Sequence, residues 1–230
     1  MKSVIIGGSS GMGLAIAKML HAHGHEIVIA SRSKDKLERA CKTIGKAEGH
    51  VLDITKEKEI EQFFSKIAPF DHLVTTAADF VTGPFLTMKT EEARHFFDSK
   101  FWGQYCAAKY AAPHIRKEGS IILFGGGAGQ RPSLGLSAAS AINAAIEGLA
   151  RALALELGPL RVNAIAPGTI VTPVWDSVPD KEKLFKESAE ELPVKRIGQP
   201  EDIAQAVLYL INCPFATGSV VYIDGGDRLI

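Results

Sequence analysis

A glycine-rich turn near the beginning of the sequence has the residue types that hold phosphate groups. It follows the apolar residues 4–6 and contains Gly7, Gly11 and Gly13. Glycine lets the backbone turn tightly and approach a ligand closely. A helix that begins directly after such a turn presents free N–H groups and a positive dipole end to an anion. The order of strand, glycine turn and helix indicates a dinucleotide site, with an ordinary tight turn as the alternative.

Apolar and amphipathic segments alternate along the rest of the chain and would position this turn. The pattern predicts strands at 4–6, 27–30, 50–52, 71–75, 120–124, 161–165 and 220–223, and helices at 13–21, 34–44, 56–67, 90–116, 137–157, 181–191 and 201–211. Strands that alternate with helices favour an α/β architecture. We therefore predict a single-domain Rossmann fold over residues 1–230, with a doubly wound parallel sheet of about seven strands.

In such a sheet, ligands bind beyond the carboxyl ends of the strands. The segments that follow the predicted strands are 7–13, Arg32, Asp53, 75–78, 125–129 and 167–172. Most of them are small or rich in glycine, as suits a ligand that lies against backbone. We expect the binding residues to come from these segments.

The composition disfavours several classes of protein. Lys plus Arg and Asp plus Glu both number 26, so the formal net charge is zero, which argues against nucleic acid or an anionic membrane as the main partner. We expect no signal peptide and no apolar run that spans a bilayer. Three cysteines lie far apart and are interpreted as free thiols in a reducing cytosol, so we expect a cytoplasmic protein. No metal site is predicted.

Taken together, these segments resemble the short-chain dehydrogenase/reductase family over essentially the whole chain. The Gly7-x-x-x-Gly11-x-Gly13 turn is similar to the family's cofactor loop, and Asp53 to its adenine-contacting acid. Residues 161–168, Arg-Val-Asn-Ala-Ile-Ala-Pro-Gly, resemble its sixth strand. The resemblance implies these cofactor contacts: Gly7, Ser9, Ser10, Gly11, Met12, Gly13, Arg32, Asp53, Ile54, Ala77, Ala78, Asn143, Pro167, Gly168, Ile170 and Thr172.

The catalytic positions depart from the family pattern. The family uses a serine after strand five, a Tyr-x-x-x-Lys pair on the next helix and an asparagine on the helix before. The resemblance places these four at Gly126, Ala139, Asn143 and Lys100. Alanine cannot act as a general acid, and glycine offers no side-chain donor to an oxyanion. The chain is similar to an atypical subgroup that lacks the usual residues.

Lys100 and Asn143 look like an exchange of the family's asparagine and lysine. If both face the cofactor, Lys100 could supply the missing cation and Asn143 could bind ribose hydroxyls. The alternative is a helix-surface lysine and a helix-packing asparagine. Ser140 is a third catalytic candidate, since its hydroxyl is near the vacant tyrosine position, although an unassisted serine is a poor acid.

Arg32 follows the second predicted strand, where the resemblance implies a basic residue in members that prefer NADP. Its guanidinium can clamp a ribose 2′-phosphate, with help from Lys34 and Ser10, and no acid at this strand end favours a free ribose. The alternative is a solvated surface arginine. The predicted cofactor is therefore NADP(H).

Two functions follow from this interpretation. One is an NADP(H)-dependent oxidoreductase that acts on an unknown carbonyl or alcohol substrate through a non-standard site. The other is a cofactor-binding protein without catalysis that acts as a sensor or oligomer partner. The resemblance also implies a homodimer or homotetramer that packs through residues 101–112 and 137–157, and a substrate lid near Trp175, Leu184 and Phe185.

Overall fold

A computed structural model describes residues 1–67, 69–178 and 180–230, and it confirms the predicted Rossmann fold. Seven parallel strands form one sheet in the order β3-β2-β1-β4-β5-β6-β7. The strands are β1 Lys2–Ile6, β2 Glu26–Ser31, β3 Ala47–Val51, β4 Phe70–Thr75, β5 Ile115–Phe124, β6 Arg161–Pro167 and β7 Val220–Ile223.

Helices cover both faces of the sheet. They are α1 Gly11–Ala22, α2 Lys34–Ile44, α3 Glu57–Ile67, α4 Thr90–Phe97, α5 Gly103–Ala111, α6 Ser137–Glu156, α7 Lys181–Glu191 and α8 Pro200–Asn212. Successive strand residues point to opposite faces. Accordingly, Val4 and Ile6 pack into the core under α3, α5 and α6, whereas Ile5 packs into the core under α1, α2 and α8. Both faces of the sheet are therefore buried under helices, and the loops that follow the parallel strands lie together at the carboxyl ends of the strands.

The predicted helix over 90–116 is wrong in one respect that matters for the site. It divides into α4, a π-helical turn at Asp98–Trp102 and α5, and Ile115 already belongs to β5. A π turn widens the helix by one residue and commonly occurs at functional sites. Here the turn carries Lys100. The third strand also begins earlier than predicted, because residues 47–51 pair with β2.

The length and composition of α6 contradict the expectation that no apolar segment is long enough to cross a bilayer. Among the described residues it is the one helix long and apolar enough to do so by length and composition. However, Ile142, Ile146 and Ala150 on one of its faces are fully buried against the sheet. Its apolar character therefore has a structural reason within the domain.

Candidate functional site

A cleft of about 510 Å³ runs along the carboxyl ends of the strands. The loops after β1, β2, β3, β4, β5 and β6 form its walls, as the sheet topology requires. Every residue predicted to contact the cofactor lies on this cleft, namely Gly7, Ser9, Ser10, Gly11, Met12, Gly13, Arg32, Asp53, Ile54, Ala77, Ala78, Asn143, Pro167, Gly168, Ile170 and Thr172. The fold thus brings together segments that are up to 165 positions apart in the chain.

The glycine turn is packed so closely that a side chain would not fit at Gly7 or at Gly13. A Cβ at Gly7, where φ is +91°, would lie 2.5 Å from Thr76 Oγ1, and a Cβ at Gly13 would lie 2.3 Å from the Gly7 carbonyl oxygen. The Thr76 hydroxyl donates to the Ile6 carbonyl at 3.1 Å and ties the loop after β4 to β1. The helix α1 therefore begins directly at the floor of the cleft.

The N-terminus of α1 is free to bind an anion. Ser10 is its N-cap residue, and its side chain makes no capping hydrogen bond. The first turn of α1 contains no acidic residue that would compete for the N–H groups. This end of the cleft has the donors and the dipole that a pyrophosphate needs.

Asp53 and Arg32 line the cleft where β3 and β2 end. Burial works to raise the pKa of Asp53, but hydrogen bonds from Thr55 and the positive charges of Lys56 and Arg32 outweigh it and lower that pKa. The Arg32 guanidinium is exposed and pairs with Asp79 across the cleft, at 2.6 and 3.2 Å. The carboxylate of Asp53 is therefore ionised and the cation of Arg32 already has a partner.

The basic residue of α2 that lines the cleft beside Arg32 is Lys36 and not the expected Lys34. Lys36, in the first turn of α2, lines the cleft, whereas Lys34 does not and instead approaches Glu38 at 4.0 Å. Ser33 caps α2 by accepting from the Lys36 N–H, so the first turn of the helix aims Lys36 toward the cleft. Lys36, and not Lys34, therefore shares the cleft with Arg32.

Lys100 occupies the other end of the cleft. Its Nζ donates to the Gly125 carbonyl oxygen at 2.9 Å and lies 5.8 Å from the centre of the Phe96 ring. Burial lowers the pKa of its ammonium from 10.5 to about 8. Lys100 is therefore a cation that can give up a proton close to neutral pH, in contrast to a surface lysine.

Asn143 is buried beside Lys100's partner loop. Its Oδ1 is shielded from solvent and has no hydrogen-bond partner among the described residues. A Cβ at Gly126 would lie only 2.7 Å from Asn143 Nδ2. The asparagine therefore fills space that any side chain at position 126 would need. The residues at positions 126 and 143 therefore constrain each other sterically.

Two neighbouring residues of α6, Ala139 and the candidate Ser140, present no hydroxyl to the cleft. Ala139 is buried and lines the cleft with a methyl group. Ser140 is not among the residues that line the cleft, and its hydroxyl is buried without a partner among the described residues. One residue along a helix is a rotation of about 100°, which turns Ser140 off the face that carries Ala139 and Asn143.

Gln104 holds this end of the cleft together, and the sequence interpretation missed it. Its Nε2 donates to the Lys100 and Phe124 carbonyls, at 3.0 and 2.9 Å. Its Oε1 accepts from the Thr75 hydroxyl at 2.6 Å and from the Phe124 N–H at 2.7 Å. A buried amide that is fully satisfied in this way fixes the π turn against β4 and β5. The only sign of this role in the sequence is a polar residue on the buried face of a predicted helix, which does not show what the side chain binds.

An aromatic rim and one ion pair border the open side near Lys100. Phe80 and Trp175 stack edge to face with ring centres 6.2 Å apart, and Trp175 also meets Phe185 of α7 at 5.8 Å. Arg131 forms an ion pair with Asp227, and both line the cleft. The predicted lid residue Trp175 thus packs against Phe80 of the loop after β4, and this border of the cleft combines aromatic rings with one ion pair.

Comparison with known proteins agrees with this geometry. A family model described as enoyl-(acyl carrier protein) reductase matches residues 7–227. A short-chain dehydrogenase/reductase of Stachybotrys chlorohalonatus is 32% identical over 98% of this chain and 96% of its own length. The chain belongs to the short-chain dehydrogenase/reductase family. Mouse 3-oxoacyl-[acyl-carrier-protein] reductase is also 32% identical, over 98% of this chain and 97% of its own.

Solved structures of short-chain dehydrogenases share the whole fold. One small-chain dehydrogenase in complex with NADPH is 32% identical, covers 100% of this chain and 99% of its own, and superposes with a TM-score of 0.88. A reductase/Diels-Alderase of Malbranchea aurantiaca is 29% identical over 99% of this chain and 96% of its own, with a TM-score of 0.92. The strand order and the cleft are therefore those of a short-chain dehydrogenase/reductase.

Proposed function

We propose that this short-chain dehydrogenase/reductase is an NADP(H)-dependent oxidoreductase for a carbonyl or alcohol substrate, with a non-standard site in which Lys100 is the proton donor. The observation that carries the proposal is the Lys100 ammonium, held in the cleft with its pKa lowered to about 8. The matching family model is described as an enoyl-(acyl carrier protein) reductase, and one relative is a 3-oxoacyl-[acyl-carrier-protein] reductase. They support the class of reaction and leave the substrate open.

The residues of the cleft fit the dinucleotide. The free N-terminus of α1 and the Ser10 hydroxyl would bind the pyrophosphate, and Asp53 would accept from the adenine. Arg32 and Lys36 would bind the 2′-phosphate, and the sequence Ser-Arg-Ser at 31–33 contains no acid that would favour a free ribose. The structural neighbour that holds NADPH supports the same choice.

When bound, the dinucleotide supplies or accepts a hydride. The chain's own residues must then donate a proton to the substrate oxygen and stabilise the negative charge that develops on it. Lys100 Nζ carries a proton that a carbonyl oxygen can take, and its positive charge stabilises negative charge that develops there. A pKa near the working pH is the property that such an acid needs.

Asn143 and Gly126 would complete this site. The unpartnered Oδ1 of Asn143 can accept from a ribose hydroxyl or from Lys100 when it moves off Gly125. Because Gly126 has no side chain, Asn143 keeps its place against the loop after β5. We therefore infer that the four substitutions form one rearranged site and not four independent losses.

The second candidate is a cofactor-binding protein without catalysis, acting as a sensor or oligomer partner. The observation in its favour is Ala139, which puts a methyl group where the family's tyrosine would stand. In this case the nucleotide end of the cleft would keep its role and Lys100 would affect only affinity or stability. The cytoplasmic location and the homo-oligomeric state also stay predictions.

Turnover and binding measured on the same variants separate the two candidates. Wild type is screened with NADPH against carbonyl compounds and with NADP against alcohols, and any hit is repeated with Lys100→Met and Asn143→Ala. Loss of one electrostatic donor should reduce kcat by about 10²-fold or more, with NADPH affinity changing much less. Lys109→Met, an exposed lysine on α5 that pairs with Glu57, is the matched control.

Two results would contradict the oxidoreductase proposal. Turnover that survives both Lys100→Met and Asn143→Ala would remove the exchanged residues from the chemistry. Tight NADPH binding with no turnover on any substrate of the screen would favour the sensor.

A further inference from the structure

Asp79 is the partner that already holds the predicted phosphate-binding arginine. It follows β4, whereas Arg32 follows β2, and β1 lies between these two strands. Neighbouring strands are about 4.8 Å apart, so the ion pair reaches across roughly two strand spacings, over the end of β1 where the glycine turn begins. Both residues line the cleft. The pair therefore bridges the path that the nucleotide would take.

The geometry of the pair is specific. Arg32 Nη2 lies 2.6 Å from Asp79 Oδ1, and Nη1 lies 3.2 Å from Oδ2. Two parallel N–H···O bonds of this kind are the strongest contact a guanidinium makes with a carboxylate. A phosphate binds a guanidinium through the same two N–H groups. Asp79 and a 2′-phosphate therefore need the same donors of Arg32.

The contacts around Asp79 make it the fixed member of the pair. Its backbone N–H donates to Ser99 Oγ at 3.2 Å, and Ser99 Oγ donates to the Phe96 carbonyl at 3.3 Å. His95 Nε2 lies 3.1 Å from Asp79 Oδ2. The side chain of Asp79 is 24% exposed and that of Arg32 is 60% exposed. Arg32 is therefore the residue that can swing away while Asp79 stays in place.

We propose that Asp79 is a specificity-determining residue that weakens binding of the 2′-phosphate by competing for Arg32. This rests on the proposed function, in that it concerns the nucleotide site of the same cleft. A nucleotide with a 2′-phosphate must break the bidentate pair and then lie near the carboxylate that Arg32 has left. A nucleotide without that phosphate does not need the donors of Arg32. Asp79 thus reduces the ratio of NADPH affinity to NADH affinity below the value that Arg32 alone would give.

The test removes the charge of Asp79 and keeps its shape. Asp79→Asn, Arg32→Ala and the double variant are titrated with NADPH, NADH, 2′,5′-ADP and 5′-AMP by calorimetry. We expect Asp79→Asn to bind NADPH and 2′,5′-ADP three- to tenfold more tightly, a change of about 0.6–1.4 kcal/mol. The affinities for NADH and 5′-AMP should stay within twofold. In the Arg32→Ala background, most of the gain should disappear.

Controls separate competition from general effects of charge or folding. Asp98→Asn removes an exposed acid of the neighbouring π turn that does not line the cleft, and should leave all four affinities unchanged. Asp79→Ala tests the same idea without an amide, and thermal melts show that each variant folds. The gain should appear in both Asp79 variants.

The outcomes distinguish this inference from the function on which it rests. If wild type binds NADPH, and both folded Asp79 variants bind it with the same or lower affinity than wild type, the proposed competition is wrong and the proposed function stands. An equal gain in the presence and absence of Arg32 would also overturn it. Absence of any NADPH binding by wild type would overturn the proposed function and this inference together.

Discussion

Replacing Lys100 by methionine should stabilise the fold while it removes the chemistry. Burial lowers the pKa of the ammonium from 10.5 to about 8, and each unit of pKa difference corresponds to about 1.4 kcal/mol. Keeping Lys100 charged at pH 7 therefore costs the folded state about 3 kcal/mol. Methionine has a similar length and no charge to desolvate.

The substitution also removes the hydrogen bond from Lys100 to the Gly125 carbonyl, which offsets part of the increase in the free energy of unfolding. A typical intramolecular hydrogen bond contributes about 1 kcal/mol, and the carbonyl it leaves faces a cleft that water can enter. The net stabilisation of Lys100→Met should then be about 2 kcal/mol, which for a domain of this size raises Tm by roughly 4–8 °C. Chemical denaturation and calorimetry at pH 7 measure both quantities.

The pH dependence has a definite sign. Between pH 8 and 10.5, folded Lys100 loses its proton while the unfolded chain keeps it, so the unfolded state binds more protons and wild-type stability rises with pH. The advantage of Lys100→Met should therefore shrink across this window, vanish about 1.5 pH units above its lower end and reverse by about 1 kcal/mol at its upper end. Lys109→Met should show no such convergence. A Lys100→Met protein that is less stable than wild type at pH 7, or whose advantage does not change with pH, would refute the reasoning.

Three further predictions concern the cofactor, the assembly and the rearranged site. Arg32→Ala should lose about tenfold in NADPH affinity, ~1.4 kcal/mol, and little in NADH affinity by titration; equal affinity of wild type for both would contradict this. Wild type should be a homodimer or homotetramer in light scattering. Gly148→Glu should give a monomer. Gly148 lies on the exposed face of α6, where a Cβ meets nothing within 4 Å, so a glutamate would fit within one subunit and would displace a second copy. A molecular mass that the substitution leaves unchanged would argue against this face as the subunit interface. Gly126→Ser should lower turnover, since its Cβ would lie 2.7 Å from Asn143 Nδ2; a rise in activity would show that the serine was simply missing.

The framework was predictable because its signals are local. Buried parallel strands appear as short apolar runs such as residues 4–6, and the glycine turn needs its residue types at a fixed spacing. The topology then places every loop after a strand at the same edge. That rule was enough to bring Gly7, Asp53 and Thr172 together in one cleft.

The features that were missed depend on contacts distant in sequence. The π turn around Lys100 is held by Gln104 through β4 and β5, and nothing in the helical spacing of 90–116 indicates it. The pairing of Arg32 with Asp79 joins residues 47 positions apart. Ser140 was proposed from its position next to Ala139, but the rotation of the helix decides which of the two reaches the cleft.

The pH dependence of kcat/KM for NADPH-driven carbonyl reduction tests the central claim most directly. If Lys100 is the proton donor, its ammonium is the active form, and the rate should fall as the pH rises through about 8. The residual rate of Lys100→Met should show no ionisation in this range. A wild-type rate that is flat across this range, or an ionisation near 8 that persists in Lys100→Met, would contradict the assignment of Lys100 as the acid.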